Sequence, residues 1–142
     1  MATTRLDACF EPYKDYGVLI LRLLIGCRLI VGVWDNIVSR ERMLEFEQFL
    51  AQFHFPLPLV SAYVSVYAQF ICALLFIIGW QMRLAALVMV INFTVAILAV
   101  HIHDSVETAF PAWAILGSAL FFLFYGAGKV ALDAATMAKS EE

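Results

Sequence analysis

The 142-residue chain is short of charge. Only 15% of its residues are Asp, Glu, Lys or Arg, against about a quarter in a soluble globular domain. The nine basic residues are scattered, with no basic cluster or face, and the net charge is only −3, so nucleic acid is excluded as a partner class. Cysteine is scarce and unpatterned. Cys9, Cys27 and Cys72 have no CxxC neighbour, which argues against a disulfide or zinc framework and leaves small buried hydrophobes or free thiols. The four prolines fall at segment boundaries, and no Ser/His/Asp or Cys/His catalytic arrangement is visible. Residues 1–16 mix Arg5, Asp7, Glu11, Lys14 and Asp15 without a basic n-region or small-residue cleavage site. The first apolar run is therefore expected to be retained rather than removed as a signal peptide.

What the chain has instead is apolar length: 63% of it is hydrophobic. From Leu57 to His103 the only charged side chain is Arg83, so this stretch predicts two membrane-spanning helices joined by a tight turn at Trp80–Arg83. A span requires about 20 apolar residues, and four fit in this length as one domain, residues 1–142. They are placed at about 17–38, 58–80, 82–101 and 111–128. Pro111 suits a first helical turn, and Gly126-Ala127-Gly128 suits a helix C-terminus. Between the first two spans, Met43, Phe46, Phe49/Leu50 and Phe53 recur among acids and glutamines. That pattern predicts a short amphipathic interfacial helix, ended by His54 and the Pro56-Leu57-Pro58 corner. The fold class is thus all-α, an integral-membrane four-helix bundle.

Orientation follows the basic residues. Arg5, Lys14, Arg83, Lys129 and Lys139 fall on one side, and Arg40 and Arg42 on the other, so both termini are expected in the cytoplasm. Asp35, Asn36, His54, His101, His103 and Asp104 then form an outer-face polar cluster. His101 and His103 invite a metal or haem reading, but residues two apart point about 200° apart on a helix, which disfavours it, and no metal ligand is assigned.

Polar groups at membrane depth carry the functional expectation. Arg22, about a turn and a half into span 1, is expected to snorkel to the near interface. Arg28, roughly 16 Å along the same helix from Gly17, falls near the bilayer centre. The midpoints of spans 2 and 3 carry Gln69 and Asn92, so Arg28, Gln69 and Asn92 form a candidate layer. It is either an interior pocket for an anion or a quinone-like carbonyl, or a structural clasp between helices, with Arg28 also reaching Asp35. The sequon at Asn92 is buried mid-membrane and inert, and the glycines before Lys129 are a cap rather than a phosphate loop.

Leu21-Arg22-Leu23-Leu24-Ile25-Gly26, Trp34-Asp35, Pro56-Leu57-Pro58, Gly79 with Arg83, His101, and the ending Gly126-Ala127-Gly128-Lys129-Val130-Ala131-Leu132-Asp133 together resemble the DoxX family of small bacterial membrane proteins. The resemblance implies four transmembrane helices in the bacterial inner membrane. It also implies membership of redox or thiol-stress complexes, the family name coming from a small subunit of a thiosulfate:quinone oxidoreductase. The chain departs from the family's pattern in having Asn36 where Lys is usual, Gln69 where Glu is usual, and Arg28 where an apolar residue is usual. A proton-carrying buried acid is missing. Three functions are therefore expected: a non-catalytic accessory or anchoring subunit of a respiratory or redox membrane complex, a quinone-interacting subunit, and a small-anion carrier resting on Arg28 alone. Other membrane subunits are expected as partners, quinone is the one cofactor in view, and a carrier of this size would have to form a homo-oligomer.

Overall fold

In the computed structural model, which describes residues 5–100, 102 and 104–134, every regular element is helical. A short α1 (Arg5–Phe10) and a 3-10 turn at Glu11–Tyr13 lead into α2 (Lys14–Val38). They are followed by α3 (Arg40–Gln52), α4 (Pro58–Ile78), α5 (Met82–Ala99) and α6 (Val106–Tyr125). α2, α4, α5 and α6 are long and apolar enough to cross a membrane, and at most 33% of any of these spans is buried within the protein. Exposed side chains such as Leu24, Val31, Val64, Ile91, Leu98 and Phe124 make an apolar outer surface, which only lipid or another membrane protein can cover.

The helices pack in chain order, α2 on α4, α4 on α5 and α5 on α6, while α3 lies across α4 and α2. Small residues set the close crossings. Gly26 of α2 meets Ala73 and Ile77 of α4, where an added Cβ would come within 3.0 Å of the Ala73 carbonyl oxygen. Ala85, Ala86, Ala112 and Ala119 bring α5 and α6 together around the tilted Phe76–Phe122 ring pair, whose centroids are 5.1 Å apart.

α3 is the expected amphipathic helix. Ser39 ends α2 in extended conformation and caps α3, its hydroxyl accepting from Arg42 N–H at 3.4 Å. Met43 and Leu50 bury against Val33, Ala62 and Val66, while Phe49 and Phe53 stay exposed. On the polar side, the Glu45 carboxylate accepts from Arg42 and raises the guanidinium above its usual pKa. The fourth span starts at Val106, five residues ahead of the expected Pro111. Ser105 supplies the cap by accepting from Thr108 N–H at 3.3 Å, and Pro111 is carried inside the helix. The capping hydroxyl, rather than the proline, fixes the start.

The largest departure from expectation concerns Arg22. It does not snorkel to the interface but is 99% buried, with 1% of its surface exposed. Its Nε donates to Phe76 O at 2.8 Å and its Nη2 to Ile77 O at 3.0 Å, two carbonyls of the last turn of α4. Its Nη1 donates to Ala127 O at 3.0 Å and Val130 O at 2.6 Å, in the segment after α6. The cation thus neutralises the negative end of α4 and holds down residues 126–130. Gly79, left-handed at φ 74°, ends α4 directly against this guanidinium; a Cβ there would collide with it.

The same ending supplies the opposite charge to α5. Asp133 accepts from Gln81 N–H at 2.8 Å and Met82 N–H at 3.0 Å, capping α5 from 51 residues away, and its own N–H donates to Gly79 O. Asp15 accepts from Lys129 N–H at 3.2 Å. Replacing Arg22 by Leu should strand four carbonyls and lower stability by about 3–5 kcal/mol. Asp133→Ala should cost about 1 kcal/mol. Denaturation of the detergent-solubilised protein followed by circular dichroism measures both, and equal losses would contradict this ranking.

Candidate functional site: a polar-floored groove between α3, α4 and α5

α4 places Ser61, Ser65 and Gln69 four residues apart, so all three share one helical face. Ser61 is used locally, donating to Pro56 O at 2.8 Å in the corner before the helix. Ser65 is the centre of the site. Its hydroxyl accepts from Gln69 Nε2 at 3.1 Å and donates to Asn92 Oδ1 of α5 at 3.0 Å. The relay orients both amides and joins the two helices. Gln69 Oε1 and Asn92 Nδ2 are not engaged by it, and no buried side-chain polar atom is left without a partner among the described residues. These two groups are therefore accessible from the adjoining space as one acceptor and one donor.

That space is a groove of about 440 Å³, within the range of roughly 300–1,000 Å³ usual for small-molecule sites. Val64 and Ala68 of α4, with Val88, Ile91 and Val95 of α5, make its apolar walls, and Phe46, Phe49 and Leu50 of α3 with Phe55 close one end. Val64, Ile91 and Val95 are more than two-fifths exposed, so the groove opens sideways to the surrounding lipid. An apolar molecule carrying a hydrogen-bonding head could enter from the bilayer and place the head on Gln69, Ser65 and Asn92.

The structure brings together only two of the three residues expected in the midplane layer. Gln69 and Asn92 meet through Ser65, whereas Arg28 points away from them. The buried face of α2 runs Val18, Arg22, Gly26, Leu29 and Val33, and Arg28 lies roughly 120° round the helix from its centre. Arg28 is exposed, makes no hydrogen bond or ion pair within the described residues, and lies over Gly32; a Cβ on Gly32 would be 2.9 Å from Nη1. It does not reach Asp35. An arginine at this depth costs about 2.5–3.5 kcal/mol on membrane-insertion scales. Ser65, which sequence reasoning missed, was signalled by its spacing of four from both Ser61 and Gln69.

The members expected at the outer face lie at the ends of several elements. Asp35 is exposed in the last turn of α2 and Asn36 is half-buried beside it. His54 is exposed in the turn after α3, in the left-handed region at φ 57°, and Asp104 is exposed ahead of α6. His101 and His103 lie outside the described residues. Among the described residues no group of three or more His, Cys, Asp or Glu side chains is placed to hold a metal ion.

The family model for DoxX matches residues 17–102, from the first spanning helix to the end of the third. The chain belongs to the DoxX family. The match takes in the whole groove and Arg22, and ends before the 126–133 segment that Arg22 and Asp133 fasten down. No match is found among curated proteins or solved structures. Within this DoxX-family protein, Ser65→Ala should cut the relay and free both amides. The expected loss is about 1–2 kcal/mol of stability, read by thermal unfolding in detergent, with Ser61→Ala as a milder control.

Proposed function

We propose that this DoxX-family protein is a non-catalytic membrane subunit of a larger redox assembly in a bacterial cytoplasmic membrane, with both termini cytoplasmic. Its contribution there is to hold a quinone-class molecule in the α3/α4/α5 groove. The observation that carries this reading is the groove itself, an apolar slot open to lipid whose floor offers oriented amide and hydroxyl groups. A quinone matches it on both counts. Its ring carbonyl accepts from the Asn92 amide, and its hydrocarbon tail follows Val64, Ile91 and Val95 out into the bilayer.

Gln69 has no proton to give at neutral pH, so the site suits binding and positioning of the quinone while electron and proton transfer occur on a partner subunit. The largely apolar outer surface of the four spans is consistent with packing against such a subunit. The anion-carrier reading rests on Arg28 alone and gains nothing from its position on the outside of α2, away from the groove.

The test is binding of a short-tailed ubiquinone analogue to the full-length protein in lipid nanodiscs by equilibrium dialysis. Saturable binding is expected, weakened about tenfold by Asn92→Leu, which removes the donor. Val64→Trp should abolish it by filling the slot. Absence of saturable binding, or indifference to both substitutions, would sink the proposal.

A further inference from the structure

The unpaired Arg28 belongs to a second pattern on α2. Leu21, Leu24, Arg28, Val31, Asp35 and Val38 follow one another at alternating spacings of three and four, the repeat of a helix–helix seam. Leu24, Val31 and Val38 are 63%, 71% and 60% exposed. From Leu24 to Val38 the seam lies on the far side of α2 from the face that packs on α4 and is exposed among the described residues, while Leu21 at its inner end is half-buried against the core. A seam made only of leucine and valine would suit lipid. One carrying a guanidinium near the bilayer centre does not, because lipid offers it neither counter-charge nor hydrogen-bond acceptors.

The complement is on the same seam. Asp35 is exposed, and its side chain, like that of Arg28, makes no ion pair or hydrogen bond within the described residues. The two lie seven residues apart, roughly 10.5 Å along the axis. Because the Arg28 guanidinium already lies over Gly32, one turn toward Asp35, it has covered more than half of that separation.

We infer that α2 is the interface of a homodimer. Two copies, inserted in the same orientation, pack seam to seam about a twofold axis along the membrane normal, and Arg28 of each copy pairs with Asp35 of the partner. Twofold symmetry makes the pair twice, so both charges on both chains are neutralised by one contact. The guanidinium donates and the carboxylate accepts, a charge-assisted pair that brings the arginine's charge to the outer end of α2. The groove, on α4 and α5, stays open to lipid in such a dimer.

The test uses full-length protein in proteoliposomes at low protein-to-lipid ratio, with Cys9, Cys27 and Cys72 replaced by Ala and one cysteine returned. Val31→Cys should give oxidative cross-linked dimer, and Leu98→Cys, exposed on α5, should not. Arg28→Asp and Asp35→Arg should each lower the cross-linked yield about tenfold, and the exchange R28D/D35R should restore it. Should a single reversal fail to fold, Gly32→Leu, at a site whose side chain would meet only Arg28, should block the dimer and leave the helical signal unchanged. Equal cross-linking at Val31 and Leu98, no recovery in the exchange variant, or capture of a different protein by Val31→Cys in native membranes would each overturn the inference.

Discussion

A single buried guanidinium fixes one end of this bundle. Arg22 spends four donor contacts on carbonyls of two segments, the end of α4 and the stretch after α6. Burying a cation is costly unless its protons are matched, and here the acceptors are backbone groups that would themselves be stranded at a helix end. Each side thus solves the other's problem. Asp133 mirrors the arrangement one turn of chain away, placing a carboxylate on the first N–H groups of α5. The α4–α5 connection is therefore held by a cation at a negative helix end and an anion at a positive one, both brought from remote sequence.

The groove depends on that connection. α4 and α5 contribute the polar relay and most of the apolar walls, so their relative height must be right to within a hydrogen bond for Ser65 to meet Asn92. With the α4–α5 turn clamped at one end and α3 buried against α4 through Met43 and Leu50 at the other, the α4 wall is held at both ends and the α5 wall at the turn. Membrane helices have little hydrophobic force between them, so such polar fasteners carry more of the specificity than they would in water.

Four spans, the interfacial α3 and the Pro56-Leu57-Pro58 corner were legible in the sequence because apolar length and local turn chemistry report them directly, while the inner turn, expected at Trp80–Arg83, begins at Gly79, the C-cap of α4. The pairing of Gln69 with Asn92 followed from matching depths. What depth could not give was rotation. In a soluble helix the apolar stripe marks the buried face, whereas on α2 both faces are apolar, since lipid tolerates Leu24 and Val31 as readily as the core tolerates Leu29 and Val33. The two arginines accordingly lie opposite to what depth implies. The one nearer the interface is fully interior, and the one at mid-depth faces out. Only the spacing Val18, Arg22, Gly26 with glycine at the crossing distinguishes the packed face, and it does so once α4 is in place.

Arg22 also has a bearing on how the protein is made. Two of its four acceptors, Ala127 and Val130, are synthesised more than a hundred residues after it. When the first span leaves the ribosome its arginine has neither the α4 terminus nor the closing segment to bind. It must remain within reach of water or headgroups until the fourth span has been inserted and the chain has doubled back. Assembly is therefore closed from the end of the chain, and the helix made first is the last to be satisfied.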